Sequence, residues 1–411
     1  MKYKSTRASA NEAANLKPQA HAHGSCSCHP ARPSAGAGKQ AKPAAAEAGA
    51  GKATAAAPAA AAASSQMKPP TKLDYPFKEY PEAGEITEVA EGIYWLSTPL
   101  PFRLRAINAY LIEEKEGWTI VDCGYGSEGA RTQWEQVWQN KMKDKPVTRV
   151  VVTHFHPDHF GNAGWMQEKW GVRPSMSETE WAFGNLAAQN LNTDSIEPRC
   201  TFYAKNGLPA QFVDQFRNEV YRYPHGCPTV PDSFNRLKDG QILSINNNEW
   251  KVMIGRGHSP EHVCLYSDKL GIMMAGDQIL PEISPNVSVW HIEPDADSLG
   301  DFLGTMNRFR PALRKDTLVL PSHRRPFRGV HDRFDELEHH HHLRLGEIMA
   351  ATGPAGMTAG ELLPMIFPVN LDGHQIGFAM NEALAHLNYL MYQGKLTRRI
   401  DADGIVRFHK V

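Results

Sequence analysis

The stretch Val147-Thr-Arg-Val-Val-Val-Thr153-His154-Phe155-His156-Pro157-Asp158-His159 decides the fold. Its first half is a β-branched apolar run, the pattern of a buried strand, and Asn162–Trp170 beyond it carries a helical period. Three imidazoles and a carboxylate crowd into the six residues between them. So many polar side chains at one strand end do not belong to a core, and their chemistry is that of metal binding. His154 and His156, alternate residues of an extended loop, point the same way and can share one ion. Asp158 and His159, at the opening turn of the helix, face a second.

Three later strand ends supply further ligands. Met253–Gly257 leads into His258 within Gly-Arg-Gly-His-Ser-Pro-Glu-His, Met273–Gly276 leads into Asp277, and Leu318–Pro321 leads into His323. Upstream, residues 85–124 read as successive β-hairpins, and from Val147 onward strands alternate with helices near 178–190, 208–222 and 297–310. The aromatics of 185–226 (Phe202, Tyr203, Phe212, Phe216, Tyr221, Tyr223) suit a lid or the insertion's own core. After a long helix over 331–350 come helices at 358–366 and 376–393 and a terminal hairpin, the outline of a small winged-helix module. Residues 1–70 are Ala-, Pro- and Lys-rich and too poor in large apolar side chains to offset their ordering entropy, so they read as a disordered tail. The chain thus divides into a tail (1–70), an α/β catalytic domain (84–330) and a helical linker with the C-terminal module (331–411).

The order His-x-His-x-Asp-His, Gly-His-Ser-Pro-x-His, Gly-Asp and Pro-Ser-His, behind the strand end Val121-Asp122-Cys123-Gly124, resembles the metallo-β-lactamase superfamily. The C-terminal segment resembles its branch with a winged-helix extension and a dinuclear site like that of glyoxalase II or the lactonases. The resemblance implies an αββα sandwich. It implies that His154, His156 and His258 bind one ion, that Asp158, His159 and His323 bind the other, and that Asp277 bridges. Two Zn2+ per chain, with Fe or Mn as alternatives, would then share a bridging hydroxide as nucleophile, oriented by Asp158. Asp122 would hold a histidine N–H from outside the ligand set and fix its tautomer.

Departures from the family narrow the chemistry. β-Lactamases of this superfamily carry Cys where this chain has Asp277, and the spacing from Asp277 to His323 leaves no room for the long nuclease insertion. Arg324 and Arg325, next to His323, can clamp a substrate carboxylate or phosphate, or can pair with a helix carboxylate. His339–His342 read as solvated helix surface, against an auxiliary metal site.

Charge separates the candidate functions. The 411 residues carry 44 basic and 45 acidic side chains, but the tail alone is +7 and the remainder −8. A body of that sign repels a nucleic-acid backbone, so a small-molecule partner is expected, the basic residues of the C-terminal module notwithstanding. Six dispersed cysteines and the lack of a long apolar run predict a reducing, cytoplasmic setting and no membrane span. The leading expectation is a dinuclear metal-dependent hydrolase of an ester, thioester or lactone of a small organic acid. The alternatives are a metal-dependent nuclease or phosphodiesterase and a non-catalytic binding protein. The acyl group, the native metal and the oligomeric state stay open at this level.

Overall fold

Strands buried on both faces organise the protein. A computed structural model describes residues 73–411 apart from 102–103, 144, 190–195, 220–222 and 368–370; the expected tail over 1–70 lies outside them. One sheet holds seven strands in chain order: β1 (Ile86–Ala90), β2 (Ile93–Pro99), β3 (Ala106–Glu113), β4 (Trp118–Val121), β5 (Val147–Val151), β6 (Pro174–Met176) and β7 (Asn235–Arg236). β1 to β4 pair antiparallel, as expected of successive hairpins, and β5 to β7 join in parallel. The second sheet runs in the order β12 (Leu318–Pro321), β11 (Ile272–Gly276), β10 (His262–Ser267), β9 (Asn248–Gly255), β8 (Ile242–Ile245), with only β11 and β12 parallel.

Alternation along the strands builds three apolar layers. Trp95, Tyr110 and Val121 of the first sheet meet Val252, Val263, Leu265 and Met274 of the second in the central layer. Their neighbours Leu96, Ala109, Leu111 and Ile120 turn outward onto Trp134 and Val137 of α1 (Glu128–Asn140), beside α2 (Pro157–Phe160) and α3 (Ala163–Trp170). On the far side, Met253, Cys264, Tyr266 and Met273 face a helical layer. The result is the expected αββα sandwich. β6, β7 and β8 are too short to leave a period in the sequence, and none was expected.

The insertion after β6 forms α4 (Glu178–Ala188), α5 (Ile196–Lys205), α6 (Ala210–Glu219) and α7 (Tyr223–Gly226). Of its aromatics, Tyr203 and Phe216 are fully buried and Tyr223 stacks beneath Phe155, while Phe212 is exposed; Tyr221 lies outside the described residues. They act mainly as core.

The outer layer is completed by α8 (Ser298–Phe309), α9 (Val330–Ala351), α10 (Ala359–Ile366), α11 (Gly373–Tyr392) and the hairpin of β13 (Leu396–Ile400) and β14 (Val406–Lys410). α10 and α11 each begin with a reciprocal capping box, Thr358 with Glu361 and Asp372 with Gln375. α11 packs into the same apolar layer as α8 and α9 through Ala383, Leu384 and Leu387. It also grips the loop 286–296: the Asn381 carbonyl accepts from Val289 N–H, Asn388 donates to the carbonyls of Pro294 and Ala296, and Tyr392 Oη donates to the Asp295 carbonyl.

The four-histidine run departs from its expected solvated surface. His341 is buried, with Nδ1 3.2 Å from His386 Nε2 and its ring 5.6 Å from that of Phe302, and only His342 is exposed. α11 covers that face of α9, which the sequence around 339–342 does not announce. No described helix is long and apolar enough to cross a membrane. Cys123, Cys200, Cys227 and Cys264 are all buried and form no disulfide.

Because Leu387 is wholly buried where α11 joins the sandwich, Leu387→Ala should lower the unfolding free energy by about 2–5 kcal/mol, measured by urea denaturation.

Candidate metal centre

Each sheet delivers its polar residues at one rim. β5 ends at Val151 and runs on through Val152-Thr153 into His154, Phe155 and His156; Pro157 starts α2, whose first turn carries Asp158 and His159. β9, β11 and β12 deliver His258, Asp277 and His323 from the facing sheet. All seven predicted residues meet there. His154, His156, His258 and Asp277 form one group of converging donor atoms, and Asp158, His159 and His323 form another. Among the described residues these are the only groups of three or more metal-type ligands, and the His341–His386 pair is not part of either.

The spacing suits a cation. His154 Nε2 lies 2.8 Å from His156 Nδ1 and 3.2 Å from His258 Nε2. Nitrogens bound about 2.0–2.1 Å from a tetrahedral ion sit roughly 3.3 Å apart. Asp277 Oδ2 is 3.5 Å from His159 Nε2, 3.6 Å from His258 Nε2 and 3.5 Å from His323 Nε2, which puts it between the two groups. Asp158 reaches His323 Nε2 at 3.3 Å. His159 Nε2 and Asp277 Oδ1 are buried without a hydrogen-bond partner. Buried polar atoms left in this way are costly unless a ligand takes them up.

The outward ring nitrogens fix the tautomers. His258 Nδ1–H donates to the Asn286 carbonyl at 2.8 Å and His323 Nδ1–H to the Ala106 carbonyl at 3.2 Å, leaving each Nε2 facing inward. His159 Nδ1 meets Asp122 Oδ2 at 2.8 Å. The same carboxylate accepts from Thr153 N–H, Thr153 Oγ and Ser322 Oγ at 2.8, 3.0 and 3.2 Å. Asp122 adopts φ 66°, a left-handed conformation that Asp tolerates better than most residues. Gly276, at φ 53°, leaves room for His262, whose Cε1 would lie 2.4 Å from an added Cβ. His262 stacks on His154 and accepts the Asp277 N–H at 3.1 Å.

The two groups differ electrostatically. Burial pushes His154 well below the usual imidazole range and His156 down to about 3, with neighbouring imidazoles adding to the effect. In the other group, burial opposes charge but the carboxylates outweigh it. Asp122 and Asp277 hold His159 well above the usual value, and Asp277 and Asp158 raise His323 to about 10. Asp158, half-buried, is held down to about 2 by His159 and His323 against the opposing effect of desolvation.

Arg324 and Arg325 both pair with Glu282, at 3.8 and 3.4 Å. That carboxylate comes from the loop after β11, not from a helix as expected. The Arg325 guanidinium also lies over the Tyr75 ring and meets the Lys78 carbonyl. Sequence reading assigned no role to His262 or Glu180. His262 sits inside a quoted motif, whereas Glu180 looks like any acidic residue in a helix's first turn.

A family model described as the metallo-beta-lactamase superfamily matches residues 102–336, and one described as its C-terminal domain matches 345–411. The chain belongs to this superfamily and is a metal-dependent hydrolase, which removes the non-catalytic alternative. A probable metallo-hydrolase of Bacillus subtilis is 23% identical over 75% of this chain and 94% of its own length. An acyl-coenzyme A thioesterase of Bos taurus is 22% identical over 57% of this chain and 79% of its own. A solved beta-lactamase domain protein from Burkholderia ambifaria is 42% identical, with a TM-score of 0.77, over 82% of this chain and 98% of that one.

The carboxylates around His159 and His323 favour their protonated forms, so metal uptake should displace protons from this group. Calorimetric titration in buffers of differing ionisation heat should show net proton release, with apparent affinity weakening as pH falls below about 10, where His323 takes up its proton. Uptake without proton release would contradict the ion-paired group.

Proposed function

We propose that the chain is a dinuclear zinc hydrolase acting on an ester, thioester or lactone of a small organic acid, a thioester foremost. The position of Asp277 Oδ2, nearly equidistant from His159, His258 and His323, carries this reading. A carboxylate so placed can bridge two ions, with His154, His156 and His258 completing one set and Asp158, His159 and His323 the other. The nitrogen and oxygen donors also admit Fe or Mn. Bound there, two divalent cations supply a Lewis acid for the scissile carbonyl oxygen and acidify the attacking water.

The protein's own part is positioning. Asp277 sets the separation of the two ligand groups, and Asp122 holds His159 with its Nε2 inward. Asp158 is the most exposed of the acidic ligands, its side chain 16% accessible, and is placed to accept a hydrogen bond from the attacking water. Beside His258, a cavity of about 90 Å³ has a mixed wall, with Phe183, Trp290 and Ile292 alongside Glu293, Asp297 and Asp301, so it gives no preference for an apolar acyl group. The activity named for the bovine relative supports a thioester. Arg325 is held by Glu282 at 3.4 Å and by the Tyr75 ring, whereas Arg324 meets Glu282 only at 3.8 Å, so Arg324 is the better candidate for an anionic substrate group.

A small-molecule substrate is favoured over nucleic acid because the basic residues of the C-terminal segment are partly neutralised. Arg398 pairs with Asp295, and Arg407 with Glu361 and Asp401. Four buried cysteines outside any disulfide suit a cytoplasmic setting.

Elemental analysis of purified protein should give about two ions per chain, and a panel of thioesters, lactones, β-lactams and RNA should give turnover in the first two classes. One ion after reconstitution would remove the bridge, and metal-dependent RNA cleavage would favour the nuclease reading. Asp277→Ala should abolish turnover, whereas Asp122→Ala should cost about 10–100-fold.

A further inference from the structure

Glu180, the third residue of α4, is fully buried, and no cation is among its hydrogen-bond partners. Its carboxylate accepts three hydrogen bonds: Phe155 N–H at 3.0 Å on one oxygen, Ser259 Oγ–H at 2.7 Å and Glu261 N–H at 2.7 Å on the other. Two of the three donors adjoin metal-type ligands, and the third adjoins His262. Phe155 separates His154 from His156, Ser259 follows His258, and Glu261 precedes His262, which stacks on His154.

We infer that Glu180 is a positioning residue that ties the His154–His156 loop of one sheet to the His258 loop of the other and so sets the geometry of that half of the metal centre. The two loops are a hundred residues apart in sequence and leave different sheets. At strand level Val263 N–H bonds the Thr153 carbonyl, but that contact lies behind the imidazoles. Glu180 closes the connection on the ligand side.

The residue type matters. Three converging donors need a group that only accepts, and a carboxylate offers enough lone pairs for all of them. A glutamine of the same shape would turn its NH2 toward at least one N–H, and that arm would open. Desolvating a carboxylate without a counter-cation is costly, and a helix cap or core residue would not require it. Burial does push the Glu180 carboxyl up, to about 7, against the pull of its donors.

The inference rests on the reading that His154, His156 and His258 bind an ion. It is tested on the full chain with Glu180→Gln, Ser259→Ala and, as a destabilised control remote from these loops, Leu337→Ala. Stepwise Co2+ titration is followed by ligand-field absorption and by competition with a chromogenic chelator. In Glu180→Gln one class of site should weaken by about 10–100-fold with an altered Co2+ spectrum while the other class is unchanged. Ser259→Ala should shift the same class by less, and Leu337→Ala neither. Unchanged affinities in Glu180→Gln, or weakening of both classes in parallel with that in Leu337→Ala, overturns the inference. Should Glu180→Gln not fold, Ser259→Ala decides, and wild-type affinity there overturns it. Wild-type protein that binds no Co2+ at this group defeats the metal reading instead.

Discussion

Four hydrogen bonds converge on one carboxylate at the end of β4, and the rim of the sandwich is organised around it. Asp122 takes the backbone and hydroxyl of Thr153, the imidazole of His159 and the hydroxyl of Ser322. Those donors come from the end of β5, from α2 and from the end of β12, so one buried anion joins both sheets where their ligands emerge. Its left-handed backbone is held in place by those donors, a conformation that a lone turn residue would have little reason to keep.

The central layer makes this junction rigid. β9, β10 and β11 send alternate side chains to two different apolar layers, so a one-residue slip would exchange the residues facing each layer. Register along these strands therefore fixes where His258 and Asp277 leave the sheet. The electrostatic contrast at the rim follows from the same placement: His154 and His156 meet mainly other imidazoles, whereas His159 and His323 meet carboxylates.

Much of this was legible in sequence, for a physical reason. His154 to His159, His258, Asp277 and His323 are polar residues at the ends of apolar strands, a contrast no core would tolerate. What escaped depends on tertiary neighbours. The burial of His341 requires α11 to lie across α9, and the pairing of Arg324 and Arg325 requires the loop bearing Glu282. Glu180 resembles a solvated first-turn acid until the two ligand loops are seen to close over it. The short strands β6 to β8, two to four residues each, carry no period to read.

The grip of α11 on the loop 286–296 has a consequence for how such a chain can diverge. That loop carries the Asn286 carbonyl that orients His258 and the Trp290 ring beside the rim, yet it is fastened by Asn381, Asn388 and Tyr392, almost a hundred residues later. The orientation of His258 and the C-terminal segment are thus mechanically coupled. Recombination between relatives preserves function only if both pieces travel as one block, and drift in the distal helix is a route to new substrates that leaves every ligand untouched.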